Sequence, residues 1–167
     1  FVIHSAVHAA RADVNCAIHT HTRAGMAVSA MKCGLLPLNQ TSMRFYGRMS
    51  YHDFEGPAMA LEERERLARD LGSNNAMILR SHGLLACGES ISEAFSVMYF
   101  LENACKAQVD AMSAGTELIL CGPEVGQKTA QAFDLAATNA VGKGYDGSLE
   151  WDALLRRLNQ EAPDYAS

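Results

Sequence analysis

Apolar residues recur at helical spacing in several parts of this 167-residue chain. The clearest predicted helix begins at a capping box formed by Ser90 and Glu93 and continues over many turns to Met112. We expect Thr22 to cap the start of another helix and Gly34 to end it in the left-handed conformation. The pattern predicts further helices over residues 1–11, 22–34, 56–71, 123–141 and 151–158, with a Gly-rich turn at 142–147.

Short apolar segments with β-branched residues alternate with these helices. Residues 14–21, 35–40 and 47–51 each predict a short strand. Residues 75–88 predict one apolar strand, bent or paused at its centre by Ser81, His82 and Gly83. Because no internal repeat or linker is evident, we expect a single domain over residues 1–167. Residue 1 falls inside a predicted helix, so we expect this domain to lack its natural N-terminal portion.

Composition and charge favour some classes of protein and exclude others. A hydrophobic content of 49% and a charged content of 20% are typical of a globular protein. The net charge is −5 and basic residues form no block, so nucleic acid is not an expected partner. Every apolar run is too short to cross a bilayer, so no membrane partner is expected either. Five cysteines without CxxC spacing predict reduced thiols and a cytoplasmic location.

Three histidines form the strongest candidate site. His19 and His21 stand two apart on a predicted strand, so their side chains project to the same face and can meet one ion. His82 lies in a different predicted segment beside Gly83, whose missing side chain allows another group to approach closely. Three converging imidazoles would bind a divalent cation and leave one position for substrate or water. The same spacing also fits strand histidines that only form hydrogen bonds.

The other polar features have simpler interpretations. We expect residues 51–55 to form a polar surface turn and the charged positions 62–66 of the predicted helix to lie largely in solvent. His4 and His8 are expected on a half-buried helix face or hydrogen-bonded to the site, and Cys87 is expected to be an inert thiol. A stripe at helical spacing is expected to form core or a subunit contact: Phe95, Met98, Tyr99, Phe100 and Met112.

Three segments together resemble the class II aldolase and adducin head-domain family: AIHTHTRAGMAVSAM, SHGLLACG and ISEAFSVMYFLENACKAQ. The resemblance implies a three-layer α/β/α domain with a mixed, largely antiparallel central sheet, assembled as a homo-oligomer and commonly as a tetramer. It implies that His19, His21 and His82 hold a divalent metal. Such a metal binds neighbouring oxygens of a small hydroxy-carbonyl substrate and stabilises an enediolate. We expect zinc, although manganese, cobalt, nickel and iron also accept imidazole ligands.

Two departures from the family pattern keep alternatives open. The acidic residue of the sugar-phosphate members would fall immediately before Phe1, and a tyrosine of the fuculose-type enzyme corresponds to Gln40 or Thr41. We predict a metal-dependent lyase or isomerase of aldolase type. The alternative is an adducin-like assembly or binding module without turnover, and the C-terminal part of the chain looks most like the bacterial adducin-like branch. A third alternative is that the histidines bind no metal.

Overall fold

A four-stranded sheet lies at the centre of the structure, a computed structural model that describes residues 2–56, 61–139 and 147–166. Its strands are β1 (Cys16–Thr20), β2 (Met49–His52), β3 (Ala76–Leu79) and β4 (Gly83–Gly88). The helices are α1 (Val2–Ala10), α2 (Arg23–Ser29), α3 (Gln40–Met43), α4 (Leu61–Leu71), α5 (Ile91–Ser113), α6 (Pro123–Asn139) and α7 (Ser148–Glu161), followed by a 3-10 turn at Pro163–Ala166. Within these described ranges, no helix has the length and apolar character that a membrane span requires.

The order of the strands across the sheet is β1-β4-β3-β2. β4 is antiparallel to both of its neighbours, β1 and β3, whereas β2 is parallel to β3. The connection from β2 to β3 contains α4, because parallel neighbours need a crossover. The structure therefore confirms the mixed, largely antiparallel sheet that the resemblance implied.

Alternation along β3 and β4 builds one apolar core on each face of the sheet. Met77 and Leu85 pack on one face against Val7 of α1 and Leu67 of α4. On the opposite face the buried cluster joins β3 and β4 to α2, Phe45 and α5, and it includes Val28, Phe45, Ile78, Leu84 and Leu101. Since successive side chains of a strand point to opposite faces, both faces need a helical cover. The result is the expected α/β/α order of layers.

Residues 35–40 do not form the predicted strand. The backbone is irregular up to the start of α3, and the fully buried side chain of Gln108 on α5 supplies hydrogen-bond partners there. Its amide oxygen accepts from the Leu36 N–H at 2.7 Å, and its amide nitrogen donates to the Gly34 carbonyl at 2.8 Å. Gln108 thus pairs backbone groups that would otherwise need a neighbouring strand.

Residues 75–88 form two strands instead of one bent strand. β3 and β4 are antiparallel, and Arg80, Ser81 and His82 form the turn between them. Ser81 has a φ of 53°, in the left-handed region, and its N–H donates to the Ser29 carbonyl at 3.1 Å. Because the chain reverses here, His82 lies at the tip of a hairpin and not within a strand.

Helices are present where the pattern predicted them, with different bounds. Thr22 caps α2 by accepting a hydrogen bond from the Gly25 N–H at 3.3 Å. α2 ends at Ser29, however, so Gly34 does not terminate it. Gly34 has a φ of 65° and faces Tyr51, whose hydroxyl oxygen would lie 2.5 Å from an added Cβ. The first residues of the helix predicted over 56–71 fall at 57–60, outside the described residues. The end of the helix predicted over 123–141 and most of the predicted Gly-rich turn fall at 140–146, also outside them.

Candidate metal centre

The structure brings His19, His21 and His82 together at one edge of the sheet. Nε2 of His19 lies 2.7 Å from Nε2 of His21 and 3.2 Å from Nε2 of His82. One ring nitrogen from each of the three residues falls within 4.8 Å of the other two. The three ring centroids are 4.6 to 4.7 Å apart. Three imidazole nitrogens therefore face one shared point.

Strand pairing explains how residues distant in sequence meet. β1 pairs with β4, and this register sets His19 opposite Leu85 near the end of β1. His21 follows the strand directly, and the β3–β4 turn presents His82 from the neighbouring hairpin. A Cβ added to Gly83 would lie 2.2 Å from the Thr20 carbonyl oxygen, so only glycine allows the hairpin to approach β1 this closely.

The ring of His19 is oriented by the backbone. Its Nδ1 lies 2.8 Å from the Leu84 carbonyl oxygen, which can only accept, so Nδ1 carries the proton. Nε2 is then the unprotonated nitrogen, and its lone pair faces His21 and His82. This arrangement fixes the tautomer that a metal ligand needs.

Burial and mutual proximity disfavour protonation of the cluster. Burial lowers the pKa of His19, the nearby rings of His82 and His21 lower it further, and the hydrogen bond to Leu84 acts in the opposite direction. Burial also lowers the pKa of His82, followed by the effect of His21, while the negative charge of Glu63 opposes this. Both groups are therefore held in the neutral form that can donate a lone pair.

The donor set fits a divalent transition-metal ion. Tetrahedral Zn–N bonds of about 2.0–2.1 Å place ligand nitrogens about 3.3 Å apart. The Nε2 separation of His19 and His82, 3.2 Å, matches this spacing, whereas that of His19 and His21, 2.7 Å, is shorter. His21 is the exposed member of the cluster, whereas His19 and His82 are half-buried, so the shared point opens toward solvent on one side. Three protein ligands with an open side are typical of catalytic sites, since structural sites are usually closed by a fourth ligand.

The remaining predicted features fall outside this cluster. His8 is exposed, with its Nδ1 3.1 Å from the Val14 carbonyl, and His4 is half-buried on the same helix, near enough that its charge would oppose protonation of His19. Burial raises the pKa of the Cys87 thiol to about 11, which agrees with an inert thiol. In the aromatic stripe Met98 is buried and Phe100 half-buried, whereas three members are more exposed: Phe95, Tyr99 and Met112.

Two polar residues beside the cluster were missed by the sequence analysis. His52 belongs to β2 and is buried, so residues 51–55 are not wholly a surface turn. Glu63 on α4 is also buried, although a charge run predicted solvent exposure. Both line one small cavity with His82. For His52, the sequence signal was a predicted strand that ends in polar residues at 51–52. For Glu63 there was no sequence signal, because its burial depends on how α4 packs on the sheet.

Comparisons with known proteins place this arrangement in a family. A protein of Pseudomonas aeruginosa that carries the name of aldolase class 2 is 50% identical over 166 residues, covering 99% of this chain and 63% of the relative. Alpha-adducin of Rattus norvegicus is 40% identical and covers 95% of this chain and 22% of that protein. The chain thus spans less than two thirds of the length of these relatives.

A solved structure shares the fold, and a family model matches the sequence. The L-fuculose 1-phosphate aldolase from Glaciozyma antarctica aligns with a TM-score of 0.75 at 27% identity, covering 95% of this chain and 58% of that chain. The family model described as the class II aldolase and adducin N-terminal domain matches residues 1–109, the part that contains β1 to β4 and all three histidines. This chain therefore belongs to the class II aldolase and adducin N-terminal domain family.

Proposed function

We propose that this chain is part of a metal-dependent lyase or isomerase of aldolase type that acts on a small hydroxy-carbonyl, sugar-like compound. The observation that carries the proposal is the convergence of His19, His21 and His82, with Nε2 of His19 2.7 Å and 3.2 Å from those of the other two. Membership of the class II aldolase and adducin family supports the same chemistry. A cytoplasmic location, expected from the sequence, and a homo-oligomer, a tetramer by the family resemblance, belong to this proposal.

In this proposal the three histidines hold a divalent ion, zinc in preference to manganese, cobalt, nickel or iron. When bound, the ion would supply positive charge where negative charge develops on the substrate as the bond between the carbons α and β to the carbonyl breaks. The Leu84 carbonyl keeps His19 in the correct tautomer. Phe54 is 54% exposed, and its ring centroid lies 6.2 Å from that of His82, so it forms an apolar rim that can shield bound substrate from water.

Metal binding is tested first, because the chemistry depends on it. Protein freed of metal by a chelator is titrated with Zn²⁺, and one ion per chain is expected. His19→Ala and His21→Ala should each weaken the affinity by at least about 100-fold, since two imidazoles no longer define a site. His8→Ala is the matched control, because His8 is exposed and lies outside the cluster. Unchanged Zn²⁺ affinity in both cluster variants would overturn the proposal.

Turnover separates the enzyme from the alternative, an adducin-like assembly or binding module. That alternative is favoured by the 40% identity to alpha-adducin over 95% of this chain. A panel of hydroxy-carbonyl compounds and their phosphates, including L-fuculose 1-phosphate, is assayed for release of a carbonyl fragment or for epimerisation. Turnover by the Zn²⁺-loaded protein that disappears in His21→Ala supports the enzyme. Metal binding without turnover of any member supports the binding module.

A further inference from the structure

A small cluster of ionisable groups lies between α4, β2 and the His82 turn, and two of its members are buried whereas Asp70 is exposed. His52 is 5% exposed and Glu63 is 7% exposed. Nδ1 of His52 lies 2.7 Å from the Asp70 carboxylate, which accepts a hydrogen bond from it. Nε2 of His52 is 3.9 Å from the Glu63 carboxylate, too far for a direct hydrogen bond. This cluster is distinct from the three histidines but borders them.

One buried nitrogen of this cluster lacks a hydrogen-bond partner in the described part of the chain. Nε2 of His52 is buried and has no hydrogen-bond partner among the described residues. A buried polar atom without a partner costs about 1–3 kcal/mol, so such atoms are nearly always paired with protein or ordered water. Glu63 and His82 line one cavity with His52, and its volume is about 10 Å³. A space of this size and polarity accepts about one water molecule.

One ring nitrogen of His82 also has no hydrogen-bond partner among the described residues. Its Nε2 faces His19 at 3.2 Å, which leaves Nδ1 as the nitrogen available for a second contact. A metal-binding histidine almost always donates its other N–H to a carboxylate, a carbonyl or a water. His19 has such a partner in the Leu84 carbonyl, whereas no described residue forms a hydrogen bond with Nδ1 of His82. Within the cavity that His82 lines, Glu63 is the buried carboxylate.

We infer that Glu63 is a positioning residue for His82 and acts through one water molecule that it shares with His52. The water accepts the Nδ1 proton of His82 in a hydrogen bond and donates its own two protons to Glu63 and to Nε2 of His52. Nε2 of His52 then has a partner, the Nδ1 proton of His82 has an acceptor, and His82 is held with Nε2 toward the three-histidine cluster. The inference rests on the proposed metal site, and Asp70 supports it by fixing the ring of His52.

Glu63→Gln tests the inference through metal affinity, measured by competition with a coloured chelator. It removes the negative charge from the cavity and should weaken Zn²⁺ and Co²⁺ binding about 10- to 100-fold. Glu65→Gln is the matched control, because it makes the same change on the exposed side of α4. The visible spectrum of bound Co²⁺ should also shift in Glu63→Gln and stay unchanged in Glu65→Gln. A purely structural role would lower the unfolding midpoint of metal-free protein without altering the spectrum.

The outcomes distinguish this inference from the proposed function. If wild-type protein binds no divalent ion, the proposed function fails. If wild-type protein and Glu63→Gln bind Co²⁺ with equal affinity and the same spectrum, the inference alone fails. Should Glu63→Gln not fold, Glu63→Asp keeps the charge but withdraws the carboxylate by one methylene. Weaker binding and a shifted Co²⁺ spectrum in Glu63→Asp would support the inference, and values equal to wild type would overturn it.

Discussion

Gly83 determines how closely the His82 hairpin approaches the strand that carries His19. An added Cβ would lie 2.2 Å from the Thr20 carbonyl oxygen and 3.2 Å from Cδ2 of His21. The first contact is with backbone, which cannot rotate away as a flexible side chain could. Any side chain at position 83 must therefore push β4 from β1 or distort the turn, and both changes separate the imidazoles.

Gly83→Ala is expected to lower the free energy of unfolding by about 1–3 kcal/mol, the usual cost of overpacking. It should also weaken Zn²⁺ binding, because His82 moves relative to His19 and His21. Urea unfolding and Zn²⁺ titration measure the two effects. Gly122→Ala is the control, because an added Cβ there meets no atom within 4 Å. Equal stability and affinity in the two variants would show that the hairpin is not held by this contact.

Protonation of the histidine cluster should destabilise the metal-free protein. Burial is the largest cause that lowers the pKa of both His19 and His82, so the unfolded chain binds protons more readily than the folded one. Stability then falls as the pH drops below the unfolded value of about 6.5 and toward the lowered folded values. We expect urea midpoints in the presence of a chelator to decrease between pH 7.5 and pH 5.5.

The variant His19→Asn should reduce this pH dependence, whereas His8→Asn should keep it, since His8 lies outside the cluster. A wild-type urea midpoint that does not change between the two pH values would contradict the lowered pKa values of His19 and His82. Added Zn²⁺ should steepen the dependence, because protons and metal compete for the same lone pairs.

Among the elements, α5 begins where the sequence predicted. Ser90 accepts a hydrogen bond from the Glu93 N–H at 3.2 Å, and the Glu93 carboxylate accepts from the Glu89 N–H at 2.6 Å. Ser90→Ala should cost about 1 kcal/mol by removing the cap. Ser113→Ala, at the exposed far end of the same helix, should change stability by less than about 0.5 kcal/mol. Thermal unfolding followed by circular dichroism compares the two variants. Equal losses of stability would show that the Ser90 cap does not stabilise α5.

Elements that depend on local signals were predictable, and those that depend on distant partners were not. Helical spacing and a cap specify α5 within the sequence that forms it. The irregular segment at 35–40 depends on Gln108, which is distant in sequence. The β3–β4 turn contains Ser81 at positive φ, a conformation for which serine gives little sequence signal. The sequence analysis missed the β3–β4 hairpin and the loop at 35–40 because neither is specified by the residues that form it.

At the scale of the whole molecule, the same distinction applies to the site. Two-residue spacing alone predicts that His19 and His21 share a face, because strand geometry is local. Their meeting with His82 depends on the pairing of β1 with β4, for which only the family resemblance gave guidance. The burial of Glu63 and His52 depends on the packing of α4 against β2. Long-range topology thus completes a site that the local pattern only suggests.

The same topology distributes stability unevenly. Side chains of β3 and β4 are completely or almost completely buried, whereas the described residues of α7 include no buried side chain. α7 packs on α5 through Trp151, whose ring centroid is 5.2 Å from that of Phe95. Because burial of apolar surface contributes about 25 cal/mol per Å², α7 gains much less stabilising free energy from packing than the sheet does. Local release of α7 should therefore precede global unfolding.

Trp151 is the chain's only tryptophan, so its fluorescence reports on α7 directly. We expect the fluorescence midpoint in urea to lie below the midpoint for exposure of the β3 and β4 amides, measured by hydrogen exchange. Phe95→Ala should lower the fluorescence midpoint and leave the sheet midpoint nearly unchanged, because Phe95 is at the surface and Trp151 contacts it. Coincident midpoints in wild type and variant would mean that α7 unfolds with the sheet as one cooperative unit. That result would require additional packing on α7, which an assembly of several chains could supply.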